Sequence, residues 1–178
     1  MTEQDIITGC QEGVPRCQRE LVDRYAPMLL TVARRYARDQ ATAQDILQDA
    51  LLRIFQAIPR YQPFGSFEAW MRRIVATSAL QYLNKKWMRK EFNNLDNNDE
   101  PLEMPDIYGR LGAEDLLELI ARLPEGYRQV FNLSVMEQYT HAEIAGMLGI
   151  SESSSRSQLV RARRQLQTMI ANREKIRI

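Results

Sequence analysis

From Asn93 to Gly112 the chain loses every apolar period. The stretch NNLDNNDEPLEMPDIYGRLG holds four Asn, two Pro and two Gly among a run of acids, residues that favour turns and interrupt helices and strands. A segment of this kind offers no face to bury, so it reads as a linker, and any core must be built on either side of it. On both sides apolar residues recur at helical spacing, and no stretch alternates with period two. The expected fold class is all-α: two small helical domains joined by an acidic flexible linker, the C-terminal one a helix-turn-helix. The domains are 1–92 and 113–178.

In the first half, Leu21, Val22, Tyr25, Leu29, Val32, Ala33 and Tyr36 form one stripe over Cys17 to Arg38, with Pro27 expected to kink or divide the segment. Thr42, with Asp45 three residues later, resembles a capping box and predicts a helix to Ile58. Pro63 and Gly65 mark a turn, and Ser66 is placed to cap a helix from Phe67 to about Lys90. That helix is expected to bury Trp70, Met71, Ile74, Val75 and Leu83.

The second half opens with LLELIARLP, and Pro124 starts a helix through Tyr127, Val130, Phe131 and Val135. Thr140 and Glu143 form another capping box ahead of Ile144. Gly149 supplies a left-handed stop, and a helix rich in Ser, Gln and Arg follows. A capped short helix, a turn with Gly and a second polar helix is the pattern of a helix-turn-helix. Such a motif lays the start of its second helix against base edges, with nearby cations on phosphates. Ser153, Ser154, Ser155, Arg156 and Gln158 would then reach the groove, and Arg161, Arg163 and Arg164 the backbone.

The net charge of +1 conceals a spatial division. Residues 1–90 hold 14 basic against 9 acidic side chains, 91–118 hold 1 against 9, and 119–178 hold 9 against 5. Two basic blocks therefore flank a segment of net charge −8. KKWMRK, at Lys85 to Lys90, and RARR, at Arg161 to Arg164, concentrate the positive charge. Either a solvated helix end or a nucleic-acid face accounts for one such cluster; two, each beside a motif, favour nucleic acid.

With two cysteines, Cys10 and Cys17, and His141 as its one histidine, the chain lacks the residues for a zinc cluster, an HExxH site or a paired ExxH di-iron centre. No metal or cofactor is expected, and the thiols read as reduced side chains of an N-terminal helix. His141 is expected at the surface. No apolar run approaches a membrane span, and the N-terminus lacks a signal-peptide pattern, so a cytoplasmic location is expected.

Two further faces separate by angle. Leu47, Ala50, Leu51, Ile54, Phe55 and Ile58 make the expected core stripe of the Thr42–Ile58 helix. Opposite them lie Asp45, Gln48, Asp49, Leu52, Arg53 and Gln56, with a large apolar Leu52 among polar neighbours. This face suits either plain solvation or docking of a basic, partly apolar helical partner. Phe64, Phe67, Trp70, Tyr82 and Trp87 interleave with Arg72, Arg73, Lys85, Lys86, Arg89 and Lys90, a mixture able to trap unstacked bases and follow a single strand. Trp70 itself fits a core position.

RELVDRYAPMLLTVARRY, DILQDALLRIF, RYQPFGSFEAWMRRIV, LPEGYRQVFNLSVMEQYTHAEIAGMLGIS and SRSQLVRARRQL resemble, in order and spacing, the bacterial extracytoplasmic-function (ECF) sigma factors. The resemblance covers nearly the whole chain outside the linker and the ends. It implies a non-enzymatic subunit that directs RNA polymerase to promoters, with 1–92 as region 2 and 113–178 as region 4. It implies docking of Asp45, Gln48, Asp49, Leu52 and Arg53 on the clamp helices of the largest polymerase subunit. Promoter −10 DNA would be melted and read by the loop from Arg60 to Phe67, including Tyr61, Phe64 and Ser66, and by the following helix with Arg72, Arg73, Thr77, Lys85, Lys86 and Arg89. The −35 element would fall to the second helix of region 4. The resemblance also leaves room for an anti-sigma protein as partner.

The chain departs from the family pattern at Thr77, usually Asn, at Gln81, often Asp, and at Ser153 to Ser155, which replace a Gly-Thr-Val-Lys start. A transcript-mimicking role in the polymerase RNA channel is a further expectation for the acidic linker. Two rivals remain on sequence grounds: a stand-alone helix-turn-helix regulator binding duplex DNA as a dimer, and a carboxylate-dependent hydrolase using Asp45 and Asp49, which has no evident substrate pocket.

Overall fold

The computed structural model describes residues 1–92 and 113–175, with side chains from 1–84 and 114–173. Eight α-helices carry these residues, and no strand occurs among them. In the first half α1 spans Glu3–Gln11, α2 Pro15–Tyr36, α3 Gln40–Ala57 and α4 Phe67–Phe92. In the second, α5 spans Ala113–Ala121, α6 Glu125–Phe131, α7 His141–Leu148 and α8 Glu152–Lys175. The linker 93–112 lies outside the described residues, as does every expectation attached to it.

Helices α2, α3 and α4 pack around Leu21, Leu29, Val32, Ile46, Ile54, Met71 and Val75, all with essentially no exposure. Each such aliphatic side chain contributes about 1.5–3 kcal/mol of transfer free energy on burial, so this cluster accounts for the cohesion of the first half. Helix α1 closes one end through Ile6 and Ile7. Its capping box joins Thr2 and Asp5: Asp5 N–H donates to Thr2 Oγ1 at 3.1 Å and Thr2 N–H to Asp5 Oδ2 at 2.8 Å. Cys10 and Cys17 are buried free thiols.

Several local expectations change. Helix α2 runs unbroken through Pro27. Helix α3 starts before Thr42, because Asp39 is its cap: Thr42 N–H donates to Asp39 Oδ1 at 2.7 Å. Thr42 is thereby drawn into the first turn and buried with Ala43 and Ile46, which turns Leu47, Leu51 and Phe55 to the half-buried flank. In α4 the fully buried line is Phe67, Met71, Val75 and Ala79, while Trp70, Ile74 and Leu83 sit at its margin.

The second half packs α5, α6, α7 and α8 around Leu119, Ile120, Val130, Leu133, Ile144, Leu159, Ala162 and Leu166. Thr140 and Glu143 form the expected capping box. Gly149 ends α7 at φ 67°, a left-handed backbone that only glycine adopts cheaply. Between α6 and α7 the chain widens into a π turn, Asn132–Met136, and then reverses through Gln138 at φ 59°. Together these turns aim Glu137 back toward the first half.

The two halves touch. Asn132 Nδ2 donates to the Arg35 carbonyl oxygen at 2.8 Å, and Arg72 Nη2 donates to the Met136 carbonyl at 3.2 Å. A more open pair, Arg38 with Glu125 at 3.6 Å, lies at the edge of the same contact.

Candidate nucleic-acid interface

The polar face of α3 is open. Leu52 is 63% exposed, far more than any other large apolar side chain of its helix. Asp45 and Gln48 are exposed beside it, with Asp49 and Arg53 half-buried. Arg53 Nε donates to Asp49 Oδ2 at 2.8 Å, and its Nη1 donates to Gln81 Oε1. Tyr82 OH donates to Asp45 Oδ2 at 3.2 Å. Helix α4 thus holds Asp45 and Arg53 of α3 directly, and Asp49 through Arg53, beside the exposed leucine. Gln81 and Tyr82 belong to this face; their spacing along α4 gave no sign of it, because the contact crosses two helices.

Phe64 stands at the tip of the loop before α4, 87% exposed. Gly65, at φ 93°, allows the reversal that presents it. Ser66 caps α4, its Oγ accepting from Ala69 N–H at 3.1 Å, and Arg60 is exposed nearby. Phe67, expected to meet DNA, is instead 1% exposed. It lies in a ring cluster with Tyr25, Tyr61 and Trp70, at centroid separations of 5.7, 5.1 and 5.5 Å. The cluster fixes the base of the loop, so Phe67 positions Phe64 and does not share its exposure.

Farther along α4, Arg72, Arg73 and Thr77 face the second half. Arg72 Nε donates to Glu137 Oε2 at 3.3 Å, the Arg73 guanidinium lies 4.9 Å above the Tyr139 ring, and Thr77 Oγ1 donates to the Arg73 carbonyl at 2.9 Å. Burial pushes the Tyr139 phenol up from its ordinary range. The backbone of α4 continues through Lys85, Lys86 and Arg89, whose side chains lie outside the described ones. A cleft of about 570 Å³ opens where Phe64, Trp70, Arg72 and Arg73 meet Met136, Glu137 and Gln138.

In the second half, α8 presents Ser153, Arg156, Arg161, Arg163 and Arg164 outward, with Ser154 half-buried. Arg156 pairs with Glu152 one turn earlier. Two expected base readers face the other way. Ser155 has no exposure and shares a 2.8 Å hydrogen bond with His141 Nδ1, which ties α7 to α8. Gln158 turns its amide oxygen toward Gly126 of α6. Ser155, Leu159, Ala162 and Leu166 are the buried stripe of α8, and their spacing of four, three and four residues is the signal that places Ser155 inside. Val160, 57% exposed among the arginines, joins the outer face.

The arrangement offers three surfaces suited to binding: one polar face centred on an apolar side chain, one exposed aromatic beside arginines, and one helix lined with guanidinium groups. Among the described residues no group of three or more His, Cys, Asp and Glu side chains could hold a metal ion. No described helix is long and apolar enough to cross a membrane.

Comparison with known proteins gives two family matches: Sigma-70 region 2 over residues 21–89, and Sigma-70, region 4 over residues 113–166. The ECF RNA polymerase sigma factor SigE of Mycolicibacterium smegmatis is 33% identical over 170 residues, which cover 92% of this chain and 65% of that protein. The chain thus spans just under two thirds of that relative. The ECF RNA polymerase sigma-E factor of Escherichia coli K12 is 23% identical over 175 residues, covering 92% and 91% of the two chains. Among solved structures, the sigma factor RpoE in complex with the anti-sigma factor NepR from Bartonella quintana matches with a TM-score of 0.61 at 20% identity, covering 89% of this chain and 98% of that one. CnrH in complex with the cytosolic domain of CnrY gives 0.53 at 20% identity, covering 96% and 97%. At that identity the two structures speak for the fold.

Proposed function

The chain belongs to the sigma-70 type RNA polymerase sigma factors of the extracytoplasmic-function (ECF) group, and from that membership we propose that it acts in the cytoplasm as a promoter-specificity subunit. In this reading 1–92 docks on core polymerase and opens the −10 element, 93–112 links, and 113–178 binds the −35 element. The observation that carries it is the pairing of two matched regions in order with an exposed Leu52 on the first and a row of exposed arginines on the second.

Docking falls to Asp45, Gln48, Asp49, Leu52 and Arg53. A central apolar side chain beside Asp45 and Arg53, both hydrogen-bonded to α4, resembles the anchored centre of a binding surface. Its partner is the clamp helices of the largest polymerase subunit. Phe64 and Arg60 meet the displaced strand, with Arg72, Arg73, Thr77, Lys85, Lys86 and Arg89 behind them. Stacking on an exposed aromatic ring offsets unpairing at about 1–3 kcal/mol per base, so opening needs no covalent step and no cofactor, and the protein is not an enzyme. Arg156 and Ser153 read the −35 major groove, while Arg161, Arg163 and Arg164 neutralise its phosphates.

The test is co-elution with core polymerase on size exclusion. The wild-type chain is expected to travel with core, and Leu52→Arg, with unchanged helicity by circular dichroism, to elute alone. Co-elution of Leu52→Arg with core would refute the docking face; failure of the wild-type chain to bind core would refute the function.

A further inference from the structure

Glu137 reaches out of the second half and into the first, where two guanidinium groups receive it. Arg35 Nη1 donates to Glu137 Oε1 at 2.9 Å, and Arg72 Nε donates to Glu137 Oε2 at 3.3 Å. The Arg35 side chain is 7% exposed and that of Glu137 is 2% exposed. Each carboxylate oxygen serves one arginine, yet donors remain: the buried Arg35 Nε has no partner, and neither has the buried Tyr36 hydroxyl. Two positive groups thus share one buried negative group, with Glu68, half-exposed and 3.8 Å from Arg72 Nη1, at the rim. The carboxylate leaves donors of this pocket unused; a phosphodiester presents two anionic oxygens to the same two guanidinium groups, with its two ester oxygens beside them as weaker acceptors.

We propose that Arg35 and Arg72 form an oxyanion site for a backbone phosphate of single-stranded DNA, which Glu137 occupies when the two halves are closed on each other. The proposal rests on the DNA-binding role assigned to the first half above and extends it to Arg35, a residue inside α2 that the closed arrangement hides. Its neighbours support it. Phe64, the exposed ring at the −10 loop, lines the same cleft as Arg72 and Glu137, so a strand stacked on Phe64 runs toward the two arginines. The polar part of the closure is imperfect, with Arg35 Nε and Asn132 Oδ1 left unpartnered, a feature of contacts that separate at modest cost. Closure buries Arg35 and half-covers Arg72, while Arg73 and Leu52 stay exposed, so polymerase can be engaged before the two-arginine site is free.

The experiment measures binding of a fluorescent oligothymidylate to the free full-length chain across a salt series, with small-angle scattering alongside. The wild type is expected to show a radius of gyration near the ~16 Å of a compact chain of this length and weak binding. Glu137→Gln is expected to expand and to bind about tenfold more tightly, as a masked site is released. Adding Arg35→Gln to it is expected to abolish that gain and to make the slope of log affinity against log salt shallower by about 0.7, one single-strand phosphate contact. A double variant that matches Glu137→Gln in affinity and slope would overturn the phosphate site, since an Arg35 that served only as a latch would leave both unchanged.

Should Glu137→Gln lose helicity, Arg38→Glu, which sets like charge against Glu125 at the exposed edge, opens the contact without touching either guanidinium, and the same comparison is made in that background. No expansion and no tighter binding in either background would also overturn it. Loss of oligothymidylate binding in every variant, with polymerase co-elution intact, would sink this site and leave the proposed function standing. The slope change without polymerase co-elution would do the reverse.

Discussion

Arg35 and Glu137 stand 102 residues apart in sequence and 2.9 Å apart in space, and both side chains are almost wholly buried. Burial pulls the Arg35 guanidinium down from its ordinary range, and the Glu137 carboxylate pulls it back up. A pair of this kind gains about as much from attraction as it loses by leaving water. It therefore fixes how the halves meet more than how firmly they fold. Cohesion within each half comes from the apolar clusters.

Phe64 and Phe67 are three residues apart and opposite in environment, so their substitutions are expected to part company. Phe67→Ala should lower stability by about 3–5 kcal/mol in urea denaturation, the cost of emptying a packed aromatic site. Phe64→Ala should stay within about 0.5 kcal/mol of wild type and weaken promoter opening instead. Equal stability losses would contradict the ring cluster.

Ser155→Ala is expected to destabilise the second half by about 1 kcal/mol, because it strands the His141 ring nitrogen that now bonds it. The exposed Ser153→Ala should be neutral in the same urea titration and act on −35 affinity. A Ser155→Ala chain with unchanged stability but altered promoter choice would return Ser155 to the groove.

Arg161, Arg163 and Arg164 are expected to act through charge alone. Each change to Ala should weaken binding to every duplex sequence similarly and reduce the slope of log affinity against log salt by about 0.9. Fluorescence anisotropy with two unrelated duplexes checks this. A strong sequence dependence of the loss would show base reading instead.

The alkaline limit should be set partly by tyrosines. Burial, reinforced by the hydrogen bond to Glu3, pushes the Tyr25 phenol up to about 12, and burial drives Tyr36 up as well. An unfolded tyrosine deprotonates near about 10, so above that pH the unfolded chain has lost protons the folded chain still holds. Stability is present in full below about 10 and falls as pH rises toward 12. Thermal melts of wild type and Tyr25→Phe from pH 9 to 12 test it: the variant should lose less.

Much of this was legible where the signal is local. The Thr140–Glu143 box, the Gly149 stop and the Ser66 cap are read from side-chain chemistry within four residues, and the structure contains all three. The exposure of Leu52 followed from helical angle alone. Sidedness within a helix is less legible in sequence, because the angle of α8 is set by what packs on it; Ser155 follows Leu159 inward, and Phe67 follows Met71. Thr42 is itself a good capping type, so the sequence points to it, while Asp39 three residues earlier is the residue that caps α3. The Arg35–Glu137–Arg72 contact left no trace in either segment, since it depends on how two halves meet across more than sixty residues.

The most direct test is permanganate probing of thymines in a promoter selected with this chain and core polymerase. Reactive thymines confined to a single −10 segment, and only when chain and core are both present, are the predicted result. Reactivity with the chain alone, or none with the two combined, would contradict the assignment of this protein as a sigma factor that opens DNA from the surface of polymerase.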